Sequence, residues 1–216
     1  MNRCFIFGAS EITSYPIMPD SDDYIISADG GYETLKKLNI SPDLILGDFD
    51  SLGYVPTGEN VVLHPVEKDC TDMELAFIEG HKKGFREFYL YGGVGGERLD
   101  HTIANIQLIS RFALNDASAF LLGEGKVITA LHNRDIIFDK NASGIISVFC
   151  IGEDAKKVSI ENLKYPLKDS TLSSFVPLGV SNGFTGKESK ISVKDGTLIL
   201  IFDEENLNKL KLPHRN

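Results

Sequence analysis

The sequence of residues 24–50 is YIISADGGYETLKKLNISPDLILGDFD, in which two short apolar runs each end close to acidic residues. A third apolar run, residues 61–63, follows further along the chain. Short apolar runs bounded by turn residues are typical of buried strands in a parallel sheet. Ligands bind such sheets outside the carboxyl ends of the strands. We therefore expect one sheet edge to carry the acidic residues beyond these runs, which are Asp29, Asp48, Asp50 and Asp72.

A cluster of four carboxylates needs cations or protons, because like charges at close range repel one another. Mg²⁺ prefers oxygen ligands and usually binds a protein through a few carboxylates plus substrate phosphates. The four aspartates therefore predict a magnesium–nucleotide site. Asp48 and Asp50 point the same way if their segment is extended, since side chains alternate along an extended chain. The alternative for Gly47-Asp48-Phe49-Asp50-Ser51 is a solvated turn.

Composition limits the classes of protein that the chain can represent. With 216 residues and 42% hydrophobic residues, it can form one large domain or two small ones with a buried core. Its formal net charge of -9 argues against a general nucleic-acid binder, which needs a basic face. The three cysteines show no paired metal spacing and fit a reducing compartment. Because no apolar segment has the length of a membrane span or a signal peptide, we expect a cytoplasmic protein without a membrane partner.

The order of predicted elements indicates two domains. Up to about residue 122, apolar strand patterns alternate with helical patterns. This alternation predicts an α/β fold with a doubly wound, mostly parallel sheet and helices on both faces. From about Glu124, short β-rich runs with polar turns predict an all-β sandwich or a small barrel. Of these we favour the sandwich, with domains at residues 1–128 and 129–216.

The predicted strands of the second domain come from its apolar runs. They cover residues 127–131, 135–138, 144–150, 158–160, 176–180, 189–193 and 197–202.

Two motifs at predicted helix starts have both a functional and a structural explanation. Asp29-Gly30-Gly31 lets the backbone approach a phosphate at a helix N-terminus, although for the tripeptide alone an ordinary strand-to-helix turn is the better explanation. Thr71 is the predicted N-cap of the next helix, with Glu74 completing a capping box. Capping and the helix dipole also explain Asp72. They do not explain Lys68 and Asp69, and Lys68 either binds a phosphate or pairs with an acid.

A glycine-rich segment, Gly92 to Asp100, lies between a predicted strand and a predicted helix. This context is typical of a loop that holds phosphates or adenine, although the Gly-Lys-Ser/Thr of a P-loop does not follow. Arg98 is the natural cation for a phosphate, because its planar fork binds oxygens in pairs. Asp100 and His101 either cap the helix or contact the ligand.

One motif stands out in the second half, Gly179-Val180-Ser181-Asn182-Gly183-Phe184. Ser181 and Asn182 offer compact donors and acceptors for a small polar ring. The simpler interpretation is that Asn182-Gly183 forms a hairpin turn.

Four motifs occur in order along the chain and are specific as a set. They are Ala28-Asp29-Gly30-Gly31, Gly47-Asp48-Phe49-Asp50-Ser51, Lys68-Asp69-x-Thr71-Asp72-x-Glu74-x-Ala76 and Gly92-Gly93-x-Gly95-Gly96-x-Arg98-x-Asp100-His101. Together they closely resemble the thiamine pyrophosphokinase family. The resemblance extends to Gly179-x-Ser181-Asn182 and so covers nearly the whole chain.

The resemblance implies an activity and an assembly. Enzymes of that family transfer the pyrophosphoryl group of ATP, the co-substrate, to the hydroxyl of thiamine and release AMP. They are homodimers of an α/β nucleotide domain and a β-sandwich domain, with active sites at the subunit interface. Mg²⁺ is the implied cofactor, and ATP and thiamine are the implied partners.

The resemblance also implies roles for individual residues. The acids Asp29, Asp48, Asp50 and Asp72 match positions that bind magnesium and phosphate. Catalysis would rest on Asp48, Asp50, Asp72 and Arg98. Nucleotide binding would involve Asp29, Gly30, Gly31, Lys68, Asp69, Thr71, Gly93, Arg98, Asp100 and His101. Thiamine would contact Ser181 and Asn182, and Phe184 would replace a tryptophan that some members place near thiamine, since this chain has none.

Two other functions are compatible with the residues alone. The chain could be a nucleotide- or metal-binding module without turnover. It could also be a pyrophosphokinase for another hydroxylated heterocycle, such as a pterin.

Overall fold

The computed structural model describes residues 3–50, 52–65, 70–96 and 98–213. Its first strands and helices are β1 (Cys4–Phe7), β2 (Tyr24–Ala28), α1 (Gly31–Lys37), β3 (Leu44–Gly47), β4 (Val61–Leu63), α2 (Asp72–Lys82), β5 (Glu87–Tyr91), α3 (Leu99–Ala113) and β6 (Ser118–Gly123). The later strands are β7 (Lys126–His132), β8 (Asp135–Phe138), β9 (Ile145–Glu161), β10 (Leu167–Leu172), β11 (Gly179–Gly183), β12 (Ser189–Ser192), β13 (Asp195–Asp203) and β14 (Leu210–Lys211). A 3₁₀ helix, Glu204–Lys209, precedes β14.

The chain forms two compact units. The first comprises residues 1–108 and 116–124, and the second comprises residues 109–115 and 125–216. The end of α3 therefore groups with the second unit. The domain boundary predicted after residue 128 stays a prediction.

The first unit contains the parallel sheet that the sequence predicts. Its strand order is β6-β5-β1-β2-β3-β4, and each neighbouring pair is parallel. All four residues of β1 are buried, as expected for a central strand covered on both faces. The prediction of a mixed α/β fold with a mostly parallel sheet is therefore confirmed.

Stacked aromatic rings fix the register of the central strands. Phe5 stacks on Tyr89 with ring centroids 5.0 Å apart, and Tyr89 stacks on Phe120 at 5.2 Å. These residues are direct cross-strand partners in β1, β5 and β6. Cross-strand aromatic pairs contribute to sheet stability beyond the area they bury. The stacked rings therefore help to fix the positions at which the loops after β1 and β5 begin.

Two helices start as their residue types require. A Cβ on Gly31 would lie 1.8 Å from the Phe7 carbonyl oxygen, so only glycine allows α1 to approach β1 this closely. Thr71 caps α2, since its Oγ1 accepts a hydrogen bond from the Glu74 backbone N–H at 3.2 Å. The predicted N-cap is therefore present. Residues 9–23 contain no helix.

The second unit is rich in antiparallel strands. β13 pairs with β7 and β9, and β9 also pairs with β10, β11 and β12. β12 pairs with β8, which pairs with β14. The predicted strand-rich second half is therefore present.

Three details of the second half differ from the prediction. Residues 144–150 and 158–160 belong to one long strand, β9, rather than to two. β10 was not predicted, because its sequence LKDSTL is largely polar and only Leu172 is buried. β11 begins at Gly179 rather than Val176 and contains Asn182-Gly183. The interpretation of that pair as a hairpin turn is therefore wrong.

No helix among the described residues combines the length and the apolar composition needed to cross a bilayer.

An ion pair holds the chain just before β1 and β2. Arg3 Nε donates to Asp23 Oδ1 at 2.9 Å, and Arg3 Nη2 pairs with the other oxygen of Asp23. The Asp23 side chain is 3% exposed. Burial raises the pKa of the Asp23 carboxyl, but the Arg3 hydrogen bond and a backbone N–H outweigh it, so the pKa is lowered. The charged carboxylate therefore stabilises the fold above its unfolded pKa.

We expect Asp23→Asn to lower the free energy of unfolding at pH 7 by about 2 kcal/mol, because it removes the charge-assisted hydrogen bonds to the buried carboxylate and leaves Arg3 paired with the exposed Asp20. The difference between wild type and variant should shrink as the pH falls below 3.8, the ordinary value for the carboxyl. Urea unfolding at pH 7 and pH 3 measures both effects, with the exposed Asp22→Asn as control. An equal difference at both pH values would contradict the assignment.

Candidate active site

A cavity of about 450 Å³ lies in the first unit, at the carboxyl ends of its strands. Segments that follow β1, β2, β3 and β5 line it, together with the starts of α2 and α3. This is the position at which parallel α/β sheets bind their ligands. The lining residues are Gly8, Ala9, Ser10, Ala28, Asp29, Asp48, Asp50, Thr71, Asp72, Met73, Gly92, Gly93, Gly95, Arg98, His101, Thr102 and Asn105.

Three of the predicted acids form one cluster. Each of Asp29, Asp48 and Asp50 offers a carboxylate oxygen, and these oxygens lie within 4.8 Å of one another. The cluster arises because β2 and β3 are parallel neighbours whose carboxyl ends lie side by side. Asp29 and Asp48 are partly buried, whereas Asp50 is exposed. The sheet topology thus brings together acids that are far apart in the sequence.

The backbone between Asp48 and Asp50 is not extended, which corrects the expectation from side-chain alternation. Phe49 has a left-handed φ of 60°, and its side chain is 2% exposed. The Asp50 backbone N–H donates to Asp48 Oδ1 at 3.2 Å. A turn anchored by a buried ring therefore places both carboxylates in the cluster. Asp29 also has a positive φ, 46°, and such strained conformations concentrate at functional sites.

The start of α2 contributes Thr71 and Asp72 to the cavity lining. Both are half-buried. Within the described residues, Asp72 shares the cavity with the three clustered acids but is not a member of their group. Lys68 and Asp69, which the sequence also places on the nucleotide side, lie outside the described residues.

Gly30 and Gly31 lie at the start of α1, and their role in nucleotide binding stays a prediction. In the described part of the chain, neither is among the residues that line the cavity. Gly31 is buried against the Phe7 carbonyl, and Gly30 has an ordinary helical φ of -54°. The geometry therefore accounts for Gly31 through packing of α1 on β1.

Arg98, Asp100 and His101 form a compact polar cluster where α3 begins. Arg98 binds Asp100 through two hydrogen bonds, Nε to Oδ1 at 3.0 Å and Nη2 to Oδ2 at 2.8 Å. The hydrogen bonding from Arg98 lowers the pKa of Asp100 to about 2. Arg98 Nη2 also lies 2.7 Å from His101 Nε2. Because guanidinium only donates, this imidazole nitrogen is the acceptor.

Two polar residues of α3 also reach the cavity, and the sequence prediction missed them. Asn105 Nδ2 donates to the Gly93 carbonyl at 2.7 Å. Thr102 Oγ1 accepts from the Gly95 backbone N–H at 3.2 Å. Their spacing of three residues places them on one helix face beside the apolar positions. That spacing, immediately after a glycine-rich loop, is the signal that could have identified them.

The second unit holds the residues predicted to contact thiamine. Ser181 is exposed, with a positive φ of 57°. Asn182 is 3% exposed, and its side chain pairs with a backbone peptide: Oδ1 accepts from Tyr165 N at 2.9 Å and Nδ2 donates to Tyr165 O at 2.8 Å. Phe184 is half-buried and packs edge-on against Phe138, with centroids 5.1 Å apart.

A smaller cavity of about 230 Å³ lies in the second unit. Its lining is mainly apolar and includes Asn182 but not, among the described residues, Ser181 or Phe184. The lining residues are Ile160, Tyr165, Leu167, Leu178, Gly179, Val180 and Asn182.

The main cavity has the donor set of a magnesium–phosphate site. Three carboxylates within 4.8 Å of one another offer only hard oxygen ligands, which suit Mg²⁺. The glycine-rich loop and Arg98 form another part of the lining, where Arg98 supplies a cation. The fold and the cavity therefore define an α/β domain suited to binding a metal–nucleotide complex.

Comparison with known proteins identifies the family. Residues 16–121 match the model of the thiamin pyrophosphokinase catalytic domain, and residues 135–198 match that of the thiamin pyrophosphokinase vitamin B1 binding domain. Thiamine pyrophosphokinase of Bacillus subtilis is 28% identical over 199 residues, which cover 86% of this chain and 92% of that protein. Thiamine pyrophosphokinase 1 of Oryza sativa is 26% identical over 183 residues, covering 76% of this chain and 66% of that protein.

Solved structures show the same fold. The B. subtilis thiamine pyrophosphokinase structure superposes with a TM-score of 0.81 at 24% identity, covering 94% of this chain and 99% of that one. Yeast thiamin pyrophosphokinase gives a TM-score of 0.72 at 18% identity, with coverages of 95% and 88%.

The chain belongs to the thiamine pyrophosphokinase family. The enzyme class predicted from the sequence is thus confirmed, and the comparisons do not support a non-catalytic module.

We expect Mg²⁺ at roughly 100 times its Kd to raise the free energy of unfolding by about 2.7 kcal/mol, because it binds only the folded acid cluster. Asp50→Asn should abolish this gain, and it should not destabilise the metal-free protein, since it removes a repelling charge. Thermal unfolding with and without Mg²⁺ measures both effects. Asp169→Asn, at an exposed aspartate of the second unit, is the control and should keep the full gain. A full gain in Asp50→Asn would contradict the metal assignment.

Proposed function

We propose that the chain transfers the pyrophosphoryl group of ATP to the hydroxyl of thiamine, giving thiamine diphosphate and AMP. The observation that carries this proposal is the acid cluster of Asp29, Asp48 and Asp50 in one cavity with the glycine-rich loop and Arg98. The family models divide the chain into a catalytic part and a vitamin B1 binding part, which supports the choice of acceptor.

The acids of the cavity are the proposed magnesium ligands. Asp29, Asp48 and Asp50 fit the ion because their oxygens already lie within 4.8 Å of one another, and Asp72 lines the same cavity. When bound, Mg²⁺ neutralises phosphate charge and polarises the phosphoryl group. The excess of acid also attracts thiamine, whose thiazolium ring is cationic.

Arg98 is the proposed phosphate ligand of the nucleotide side. Its guanidinium is a permanent cation that donates hydrogen bonds to phosphate oxygens. Asp100 accepts from Nε and Nη2, and His101 Nε2 accepts from Nη2, so Nη1 is the donor that faces a phosphate. This arrangement orients the cation before the nucleotide binds. In phosphoryl transfer, such positioning and charge stabilisation supply most of the catalysis.

A carboxylate of the cavity is the proposed acceptor of the thiamine hydroxyl proton. Asp50 and Asp72 remain alternatives for this role, and both line the cavity. Asp50 is exposed and Asp72 is half-buried. A general base must reach the hydroxyl within hydrogen-bond distance.

Ser181, Asn182 and Phe184 are the proposed thiamine contacts. The exposed Ser181 hydroxyl suits direct contact with the pyrimidine. The Asn182 amide is engaged by the Tyr165 backbone, so it also supports the shape of the surface. Phe184, half-buried, contributes an aromatic surface in a chain without tryptophan.

A homodimer with active sites at the subunit interface is part of the proposal. The second unit exposes apolar side chains around its small cavity, including Tyr165 at 57%, Leu178 at 61% and Val180 at 42%. Phe175, shortly before them in the chain, is 92% exposed. Apolar surface of this kind is typical of a covered interface. We infer that a second copy covers these side chains, which we call the apolar patch.

The finer features predicted from the sequence also belong to this proposal. They are the doubly wound sheet with helices on both faces, the all-β sandwich of the second half, and a cytoplasmic location. The net charge of -9 and the sparse cysteines support the location.

We expect the purified chain to release AMP from Mg-ATP only when thiamine is present. Asp48→Asn and Asp72→Asn should each lower the rate by at least about 10²–10³, because each removes a preorganised electrostatic partner. A coupled AMP assay measures the rate, and circular dichroism checks the fold.

The controls for this assay are a magnesium-free reaction and the Asp169→Asn variant, at an exposed aspartate of the second unit. AMP formation with a pterin alcohol but not with thiamine would show that the acceptor is the pterin alcohol. Near-normal rates in both cavity variants would refute the assigned roles of the acids.

We expect Phe175→Asp to shift the protein from dimer to monomer and to lower activity, because a charge in the apolar patch opposes its burial. Sedimentation velocity measures the assembly state. Val55→Asp, at a side chain that is 51% exposed in the first unit, is the matched control and should remain dimeric. A dimeric, active Phe175→Asp would exclude this patch from the interface.

A further inference from the structure

Two side chains of α3 hold the glycine-rich loop from one side of the main cavity. We propose that Thr102 and Asn105 are positioning residues that fix Gly93 and Gly95 in the conformation that receives the nucleotide phosphates. This inference rests on the proposed function, because it assumes a nucleotide in the cavity. We call the pair the loop clamp.

The loop clamp fixes one acceptor and one donor of the loop backbone. Asn105 Nδ2 donates to the Gly93 carbonyl at 2.7 Å, and the Gly95 N–H donates to Thr102 Oγ1 at 3.2 Å. The two backbone groups lie on either side of Val94. Since Thr102 and Asn105 are three residues apart on α3, they act from the same helix face. The loop is thereby attached to a rigid element at two points.

The loop needs such attachment because of its composition. Gly92, Gly95 and Gly96 have positive φ values of 67°, 82° and 72°. Glycine adopts these angles without strain but loses the most conformational freedom when it is fixed. A loop fixed before binding saves that loss when the ligand arrives. The clamp would therefore act on nucleotide affinity.

The orientation of the Asn105 amide follows from its partner. A carbonyl oxygen only accepts, so the atom facing Gly93 O must be the amide nitrogen. Asn105 is 4% exposed although it lines the cavity. A Cβ on Gly93 would lie 3.1 Å from Asn105 Nδ2. The close fit shows that loop and helix side chain are matched in shape as well as in polarity.

A purely structural role is the alternative explanation. A buried carbonyl needs a hydrogen-bond donor in any case, and Asn105 could serve only that need. Asn60 offers a matched comparison, because its Nδ2 donates to the Pro42 carbonyl at 2.8 Å. Asn60 belongs to the same unit and, in the described part of the chain, is not among the residues that line the cavity.

The experiment compares two pairs of variants of the full chain. Thr102→Val removes the hydroxyl at nearly constant volume, and Thr102→Ser keeps it. Asn105→Ala and Asn60→Ala each remove one amide donor to a backbone carbonyl. Calorimetry measures the Kd of ATP with Mg²⁺ in the absence of thiamine, and separately the Kd of thiamine. Thermal unfolding reports stability, and hydrogen exchange reports protection of the loop amides.

We expect Thr102→Val and Asn105→Ala to raise the Kd of ATP by roughly three- to tenfold, the range that one net hydrogen bond supplies. The Kd of thiamine should stay within about twofold, and the loop amides should exchange faster. Thr102→Ser should restore most of the ATP affinity. Asn60→Ala should lower the melting temperature while leaving the Kd of ATP unchanged.

Unchanged ATP affinity in both cavity variants, or an equal loss of affinity for both substrates, would overturn the clamp. Loss of ATP affinity in Asn60→Ala equal to that in Asn105→Ala would also overturn it. These outcomes are measured by binding alone. Failure of the proposed function has a different result: the wild-type chain would bind ATP but form no AMP with thiamine.

Discussion

The main cavity depends on keeping three carboxylates together against their mutual repulsion. Asp29, Asp48 and Asp50 present oxygens within 4.8 Å of one another, an arrangement that a free chain would avoid. The parallel pairing of β2 and β3 imposes it, because both strands end at the same sheet edge. The left-handed backbone conformations of Asp29 and Phe49 also contribute to this arrangement of carboxylates. Each such conformation costs on the order of 1–3 kcal/mol, which the surrounding packing must offset.

Much of the first half could be predicted from its sequence, because its signals are local. The apolar run at residues 61–63 was predicted as a strand and forms β4, Val61–Leu63, and the cap at Thr71 follows from its spacing to Glu74. The left-handed turn at Phe49 could not be predicted, since its stability comes from burying the ring in a core assembled from distant strands. The packing role of Gly31 was missed for the same reason, because it depends on the Phe7 carbonyl.

The second half and the loop side of the site were harder to predict. β10 is largely exposed and polar, so its residues lack the alternation that marks a half-buried strand. Its existence depends on β9, to which it is hydrogen-bonded. Thr102 and Asn105 are polar residues of a helix, and their sequence positions alone do not show what they contact. Only the folded loop shows that these two polar side chains bind its backbone.

The pairing of Asn182 with the Tyr165 backbone has a consequence for the chemical lifetime of the protein. Asparagine followed by glycine, as at Asn182-Gly183, is the sequence most prone to lose ammonia through a cyclic succinimide. Ring closure requires the glycine nitrogen to attack the asparagine side-chain carbonyl. Here both polar atoms of that side chain are held by the Tyr165 backbone, and the buried asparagine lies within a strand. The folded state therefore protects a dipeptide that would deamidate rapidly in an unfolded chain.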